Sequence, residues 1–232
     1  MEFEAVIQKR KTIRRFNQET VPDEHIKKAF EHAILAPNSS NVQNWDFHWV
    51  KNPEKKQKLV EACLNQSAAR TASHLIVATT DSKQWKRSQP FLLDWVKNSP
   101  RAPKNVELYY KKIVPSTYTT GIFNIFAPFK WILLNTVGLF RPMVRGPVTA
   151  RDVQEVSVKS CALACENFVL SITNSGADSC MMEGFDAWRV KRLLKLNWSS
   201  RVVMVIAVGY ENAPGNWGER YRMPLDQVVH VH

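Results

Sequence analysis

Residues Val153–Gly176 read VQEVSVKSCALACENFVLSITNSG, the longest run in the chain that is apolar at helical spacing. Val158, Cys161, Ala162, Cys165, Phe168, Val169 and Ile172 form its stripe, and Gly176 supplies a stop signal at the C-terminus. The stripe is broad for a surface helix, so the spacing predicts a helix that touches other elements on more than one side, in a core or between two copies. Downstream, RVVMVIAVGY (Arg201–Tyr210) is a β-branched run and predicts a buried strand. Upstream, HLIVATT (His74–Thr80) predicts another, and the alternating DFHWVKN (Asp46–Asn52) a third. TVPDEHIKKAFEHAILAP predicts a helix, with Pro22, Asp23 and Glu24 in its first turn. Ile26, Ala29, Phe30, Ala33 and Ile34 make its apolar face, and Pro37 ends it. EFEAVIQKR and PEKKQKLVEACLNQS add two further helices.

The chain has 232 residues and is 44% hydrophobic, enough for one large core. Its formal charge of +11 favours anionic partners. The basic residues are dispersed, with no basic helix, zinc-finger spacing or RNA-binding aromatic motif, which argues against nucleic acid. The acidic N-terminus MEFEAVIQKRK lacks the pattern of a signal peptide and reads as cytoplasmic. Cys161 and Cys165 lie one turn apart without a histidine on that helix, so the four cysteines read as small buried hydrophobes rather than metal ligands. His230 and His232 read as a frayed tail.

Residues 84–151 differ from the rest. They carry Pro90, Pro100, Pro103, Pro115, Pro128, Pro142 and Pro147, and the apolar run GIFNIFAPFKWILLNTVGLF (Gly121–Phe140). Asn124, Pro128, Lys130 and Asn135 interrupt that run, which argues against a membrane span. A lid over a pocket, a dimer-packing arm and a peripheral membrane contact through 121–140 remain as readings. With no internal repeat, the simplest organisation is one domain, 1–232, with a lid-like insertion at about 84–151.

The first glycine is Gly121, so neither GxGxxG nor a P-loop can stand in the first half. Phosphate binding would fall to side chains. KRKTIRRF supplies Lys9, Arg10, Lys11, Thr12, Arg14 and Arg15, and ERYRMP supplies Arg220 and Arg222. On an extended chain these last two would aim the same way, giving two clusters able to clamp one phosphate. Between two apolar segments lies APNSSNVQNWDF (Ala36–Phe47), rich in neutral donors and acceptors.

RKTIRRF, APNSSNVQNWDF, ENFVLSITNSGADSCMMEGFD, VVMVIAVGY and ERYRMP occur in the order and spacing of the nitroreductase-like flavoproteins, and by these motifs the chain resembles that family over about 5–80 and 152–226. The resemblance implies an α+β fold, a mainly antiparallel sheet flanked by helices, assembled as an intertwined homodimer with FMN at the interface. It implies hydride transfer from NADH or NADPH to FMN and on to a small-molecule acceptor such as a nitroaromatic or quinone. Alternatives are dehalogenase or dehydrogenase chemistry in the same family, or an FMN-binding protein without catalysis that docks to a membrane or partner. By resemblance, Arg10, Lys11 and Thr12 contact the FMN phosphate together with Arg220 and Arg222, and Arg14 lies near the pyrimidine edge. Pro37, Ser39, Asn41 and Gln43 serve the ring and ribityl chain, partly from the neighbouring subunit. Asn65 meets the pyrimidine edge or ribityl chain, and Met181, Met182, Glu183 and Gly184 form a loop against the ring. No residue is nominated as acid or base, because the flavin carries the electrons. The family often has Pro where Asn44 stands, and close relatives have lysine where Ala68 stands. Phe123, Phe126, Phe129 and Trp131 of the insertion are candidates for the ceiling over the ring.

Overall fold

The computed structural model describes every residue except Ala102, Pro214, Asn216 and Trp217, and of Lys104 and Ile122 the backbone alone. Its elements run α1 (Phe3–Lys9), α2 (Asp23–Ala33), β1 (Asp46–Trp49), α3 (Pro53–Ala62), α4 (Ser67–Thr71), β2 (His74–Asp81) and α5 (Trp85–Asn98). There follow α6 (Lys104–Leu108), a π turn (Tyr109–Ile113), α7 (Val114–Tyr118), α8 (Ala127–Phe140), α9 (Ala150–Asn174), β3 (Asp178–Met182), α10 (Ala187–Leu194) and β4 (Ser200–Gly209). The sheet order is β1-β2-β4-β3 with every pair antiparallel. Mixed helices around a four-stranded antiparallel sheet is the expected fold class.

The helix α9 is the axis of the fold. Thr149 and Asp152 form a capping box at its start, and Gly176, at φ +91°, ends it. Its buried residues include Cys161, Cys165, Phe168, Val169 and Ile172, packed against Ile76, Val208 and Ile206 of the sheet and Ile26 of α2. The breadth of the stripe is explained: one side of α9 meets the sheet and another meets α2. By length and composition α9 could cross a membrane, yet half of its apolar window is buried in this core. A second core on the other face joins Leu59, Val60, Leu75, Val205 and Val190 from α3, β2, β4 and α10. All four cysteines are free and buried, and burial pushes the Cys63 thiol up to about 11.

Helix α2 keeps its predicted face at Ile26, Ala29 and Ala33 but stops at Ala33, ahead of Ile34 and of the stop expected at Pro37. Pro22 stands at its N-cap, and Ile34 falls in the exposed turn beyond. The larger difference is the insertion. Three of its prolines start helices, while Pro90 stands inside α5. Pro103 caps α6, and Pro115 and Pro128 occupy the first turns of α7 and α8. There no backbone N–H is needed. Trp85, Leu92, Val96, Tyr110, Val114 and Tyr118 form a third small core that joins α5 to α7 and rests on Val153 of α9 and Val42.

The buried His74 and the half-buried His48 give the fold a pH dependence. Trp49 Nε1 donates to His74 Nδ1 (3.2 Å) and His74 Nε2 donates to the Val21 carbonyl (2.7 Å), an arrangement that suits the neutral ring. His48 Nε2 lies 3.0 Å from Thr79 Oγ1. Burial holds both pKa values below the ordinary 6.5. The unfolded chain therefore takes up protons first, so this contribution to stability is complete above about pH 6.5 and is lost as pH falls below it. Thermal melts should drop between pH 7 and pH 5.5, with a shallower slope in His48→Gln.

Candidate functional site

The N-terminal arm and the C-terminal segment meet at one corner of the sheet. Thr12 pairs in parallel with Ser179 at the start of β3, and Ile13 N–H donates to the Ser179 carbonyl (3.0 Å). This places Arg10, Lys11, Thr12 and Arg14 around a cleft of about 260 Å³ whose other wall is Gly218, Glu219, Arg220, Tyr221 and Arg222. Both basic clusters thus line one cleft. Their guanidiniums do not aim alike, however. Arg220 donates to the carbonyls of Ile7, Gln8 (2.8 Å) and Arg10, closing the C-terminus of α1. Arg222 bends back to the Tyr221 carbonyl (2.7 Å). Parallel aim required an unbroken extended chain, and α1 presents carbonyls that draw Arg220 away. Lys11 pairs with Glu211 (3.2 Å). Among the described residues no carboxylate pairs with Arg10 or Arg222, so cationic donors remain for an anion.

Further along β3, Met181 and Met182 stand in the strand itself, opposite Ile206 and Val205, and Met182 is buried in the core. The expected loop against a ring therefore begins later, at Glu183 and Gly184. The alternation of Cys180 and Met182 toward the core was the signal for a strand. Among the described residues the N–H groups of Glu183 and Gly184 find no backbone acceptor, and both residues are exposed. Asn65 lies beside this loop. It follows α3 in the left-handed region (φ +53°), and its neighbour Gln66 donates to the carbonyls of Cys63 (3.0 Å) and Gly184. The peptide of Asp186 donates to Ala62 (2.7 Å), which closes the same seam. Beyond Glu183 a cavity of about 560 Å³ runs past Phe185, Lys191, Trp198 and Arg201. Ala68 is buried in the core, so it offers this face no cation, while Arg70 on the same helix is exposed.

Pro37, Ser39, Asn41 and Gln43 are elsewhere. They occupy the turn entering β1, the opposite edge strand. Asp46 opens β1 against Thr79, which pairs with Val202 near the start of β4, whereas Asp178 opens β3 against Gly209 at the end of β4. The two polar groups thus stand at diagonally opposite corners. Three strand spacings of ~4.8 Å already separate their edges by ~14 Å. The turn is built for display. Ser40, Asn41 and Gln43 have φ near +50°, a costly conformation for residues with a Cβ. Asn38 Oδ1 accepts from Gln43 N–H (2.8 Å), and Asn44 is buried with its amide donating to Ser157 (2.9 Å). Asn38 and Asn44 hold the turn, while Ser39, Asn41 and Gln43 stay exposed. Where the family often has proline, Asn44 ties the turn to α9.

Sequence reasoning missed two tyrosines at this corner. Tyr118 OH donates to Ser39 Oγ (3.0 Å), and Tyr109 OH lies 2.6 Å from Ser40 Oγ. They frame a cavity of about 530 Å³ lined further by Ile113, Leu133, Leu134, Met143 and Val144 of the insertion. Phe123, Phe126, Phe129 and Trp131, the expected ceiling, are exposed and do not line this cavity. No sequence period could have shown which of these apolar residues face inward.

Comparison with known proteins agrees with this geometry. The family model "Nitroreductase family" matches residues 7–210. Protein DrgA of Synechocystis is 28% identical, with 98% of this chain and 94% of that protein covered. NADH dehydrogenase of Thermus thermophilus is 33% identical, with 95% and 91% covered. A protein assigned as a nitroreductase from Exiguobacterium sibiricum, solved in complex with FMN, superposes with a TM-score of 0.74 at 18% identity, covering 100% of this chain and 98% of that one. The antiparallel sheet, the cation-lined corner and the match over 7–210 together place this chain in the nitroreductase family.

Proposed function

We propose that this chain is an FMN-dependent NAD(P)H oxidoreductase that reduces a small electron-poor acceptor such as a nitroaromatic or quinone, and that a second copy of the chain completes each site. The observation that carries this reading is the division of the donor set. Cations and a hydroxyl gather at one corner of the sheet, and neutral amides and hydroxyls are displayed at the opposite one. FMN demands both chemistries, a charged phosphate and a neutral polar ring and ribityl chain.

The residues present fit that group. Arg10, Lys11, Thr12, Arg14 and Arg222 would hold the phosphate, with Arg220 fixing the arm that carries Arg10. The free N–H groups of Glu183 and Gly184, with Asn65 beside them, would serve the ring edge. Ser39, Asn41 and Gln43 would reach the ring and ribityl oxygens from a second copy. When bound, FMN would supply the hydride-transfer chemistry between NADH or NADPH and the acceptor. This chain's own contribution is positioning and electrostatics: cations favour the anionic form of a bound ligand, and packed walls exclude water. The 530 Å³ cavity framed by Tyr109 and Tyr118 is of a size for a small acceptor. The insertion 84–151 would then act as a wall of the acceptor site.

The test is a visible spectrum of the purified protein followed by NADH or NADPH without oxygen. The proposal expects a yellow protein bleached by one of them. A colourless protein that FMN cannot reconstitute, or a bound flavin that neither donor reduces, would contradict it.

A further inference from the structure

The helix α8 inverts the pattern of a helix on a water-facing surface. Its two strongly polar side chains, Lys130 and Asn135, are satisfied within the chain, while Thr136 is exposed. Lys130 Nζ donates to the carbonyls of Thr117 (3.3 Å) and Thr119 (2.6 Å), and Asn135 bonds the Trp131 carbonyl (2.8 Å) and Arg145 (2.7 Å). Just before the helix, Asn124 Oδ1 accepts from Ala150 N–H (2.7 Å). Asn124, Lys130 and Asn135 are among the residues that interrupt the apolar run in sequence, and their polar atoms are tied up within the chain. Away from the cavity the segment exposes Phe123, Phe129, Trp131, Ile132, Leu139 and Phe140, from 57% to 99%. So many large apolar side chains in water on one segment mark an interaction site.

The charge around it narrows the partner. From Leu108 to Arg151 the chain contains Lys111, Lys112, Lys130, Arg141, Arg145 and Arg151 and not one Asp or Glu. Lys111 is paired with Glu107 and Lys130 donates to backbone carbonyls, and among the described residues Lys112, Arg141, Arg145 and Arg151 have no ion-pair partner. Two copies meeting through this face would bring like charges together, which disfavours self-association here. An anionic bilayer offers both complements, hydrocarbon for the face and headgroups for the cations. The geometry fits a helix lying in the interface. With 14 residues α8 is about 21 Å long, short of the ~30 Å hydrocarbon core, so it cannot span. Trp131 suits the headgroup boundary, and Arg141 stands at the C-cap, where a cation is at the edge of the buried segment.

We propose that α8 and its flanking cations dock this protein on the surface of an anionic lipid bilayer. The inference does not depend on the flavin reading. The 530 Å³ cavity takes Leu133, Leu134, Met143 and Val144 from this same segment, so docking would set it beside the lipid surface.

The experiment is flotation of the purified full-length protein with vesicles of phosphatidylcholine alone, or with one third phosphatidylglycerol. Wild type should float with the anionic vesicles, stay behind with the neutral ones, and be released by 1 M salt. Trp131→Glu with Leu139→Glu should weaken partition at least about tenfold. Lys112→Gln and Arg141→Gln should each weaken it about fivefold. Both sets replace exposed side chains, so flavin content and bleaching by nicotinamide should match wild type, which separates this test from that of the activity. The charge variants keep the proposal testable should the glutamate pair fail to fold. Wild type that stays soluble with both vesicles would overturn it, as would variants that float equally well. A glutamate pair that lowers the oligomeric mass would instead assign the face to a second copy and overturn it too.

Discussion

Replacing Arg10 and Arg222 together with glutamine should strip FMN from the purified protein while leaving its melting temperature nearly unchanged. Both side chains line the 260 Å³ cleft, and among the described residues neither has a carboxylate partner to lose. Each charge-assisted hydrogen bond to a phosphate contributes about 1.5–3 kcal/mol, so removing two should raise the dissociation constant of FMN at least a hundredfold, roughly. Fluorescence titration of the apoprotein with FMN measures this. Arg220→Gln should behave differently. Its guanidinium closes α1 through three carbonyls, so its loss should lower the melting temperature as well as the affinity. Equal effects of all three substitutions on affinity, with none on melting, would show that Arg220 acts at the phosphate and not through α1.

The largest effect on stability should come from Phe168→Ala. This ring is fully buried in the C-terminal half of α9 and meets Phe30 at 5.2 Å and Phe47 at 6.2 Å between centroids. It joins α2, α9 and β1 in one contact. The neighbours are themselves held by the sheet and by α2, so the space cannot collapse. The cost should be about 3–5 kcal/mol, a large part of the 5–15 kcal/mol typical of a domain. Urea unfolding of the two proteins measures it. A loss below about 1 kcal/mol would mean that the core repacks and that α9 is not its rigid axis.

Much of this architecture is legible in the sequence, and the limits have physical causes. The helices α2 and α9 and the strands β2 and β4 announce themselves because each buries a face whose period the sequence must carry. Strand β3 is short and follows Gly176 and an acidic start, so the alternation of Cys180 and Met182 is too brief to separate strand from loop without Val205 and Ile206 opposite it. The helices of the insertion hide behind prolines, since the same residue that breaks a helix interior opens a first turn. Among the site residues, the two basic clusters could be matched to one phosphate because charge is visible in sequence. Their separation from Ser39, Asn41 and Gln43 depends on strand order, which no local pattern encodes. The direction of Arg220 depends on where α1 ends in space. The two tyrosines at the serine turn had no signal, since a hydroxyl bond across the 78 and 69 residues to Ser40 leaves no trace in spacing.

The central claim is that one chain holds only half of each donor set. It is tested by mixing two defective chains. One carries Arg10→Gln and Arg222→Gln, the other Ser39→Ala and Asn41→Ala. Each alone should bind FMN weakly, because each homodimer would have a lesion in both sites. Co-expressed and purified as the mixed dimer, they should regain one tightly bound FMN per dimer, since one site then combines both intact halves. A mixed dimer that holds no more FMN than its parents would contradict the account and would require all the donors to come from a single chain.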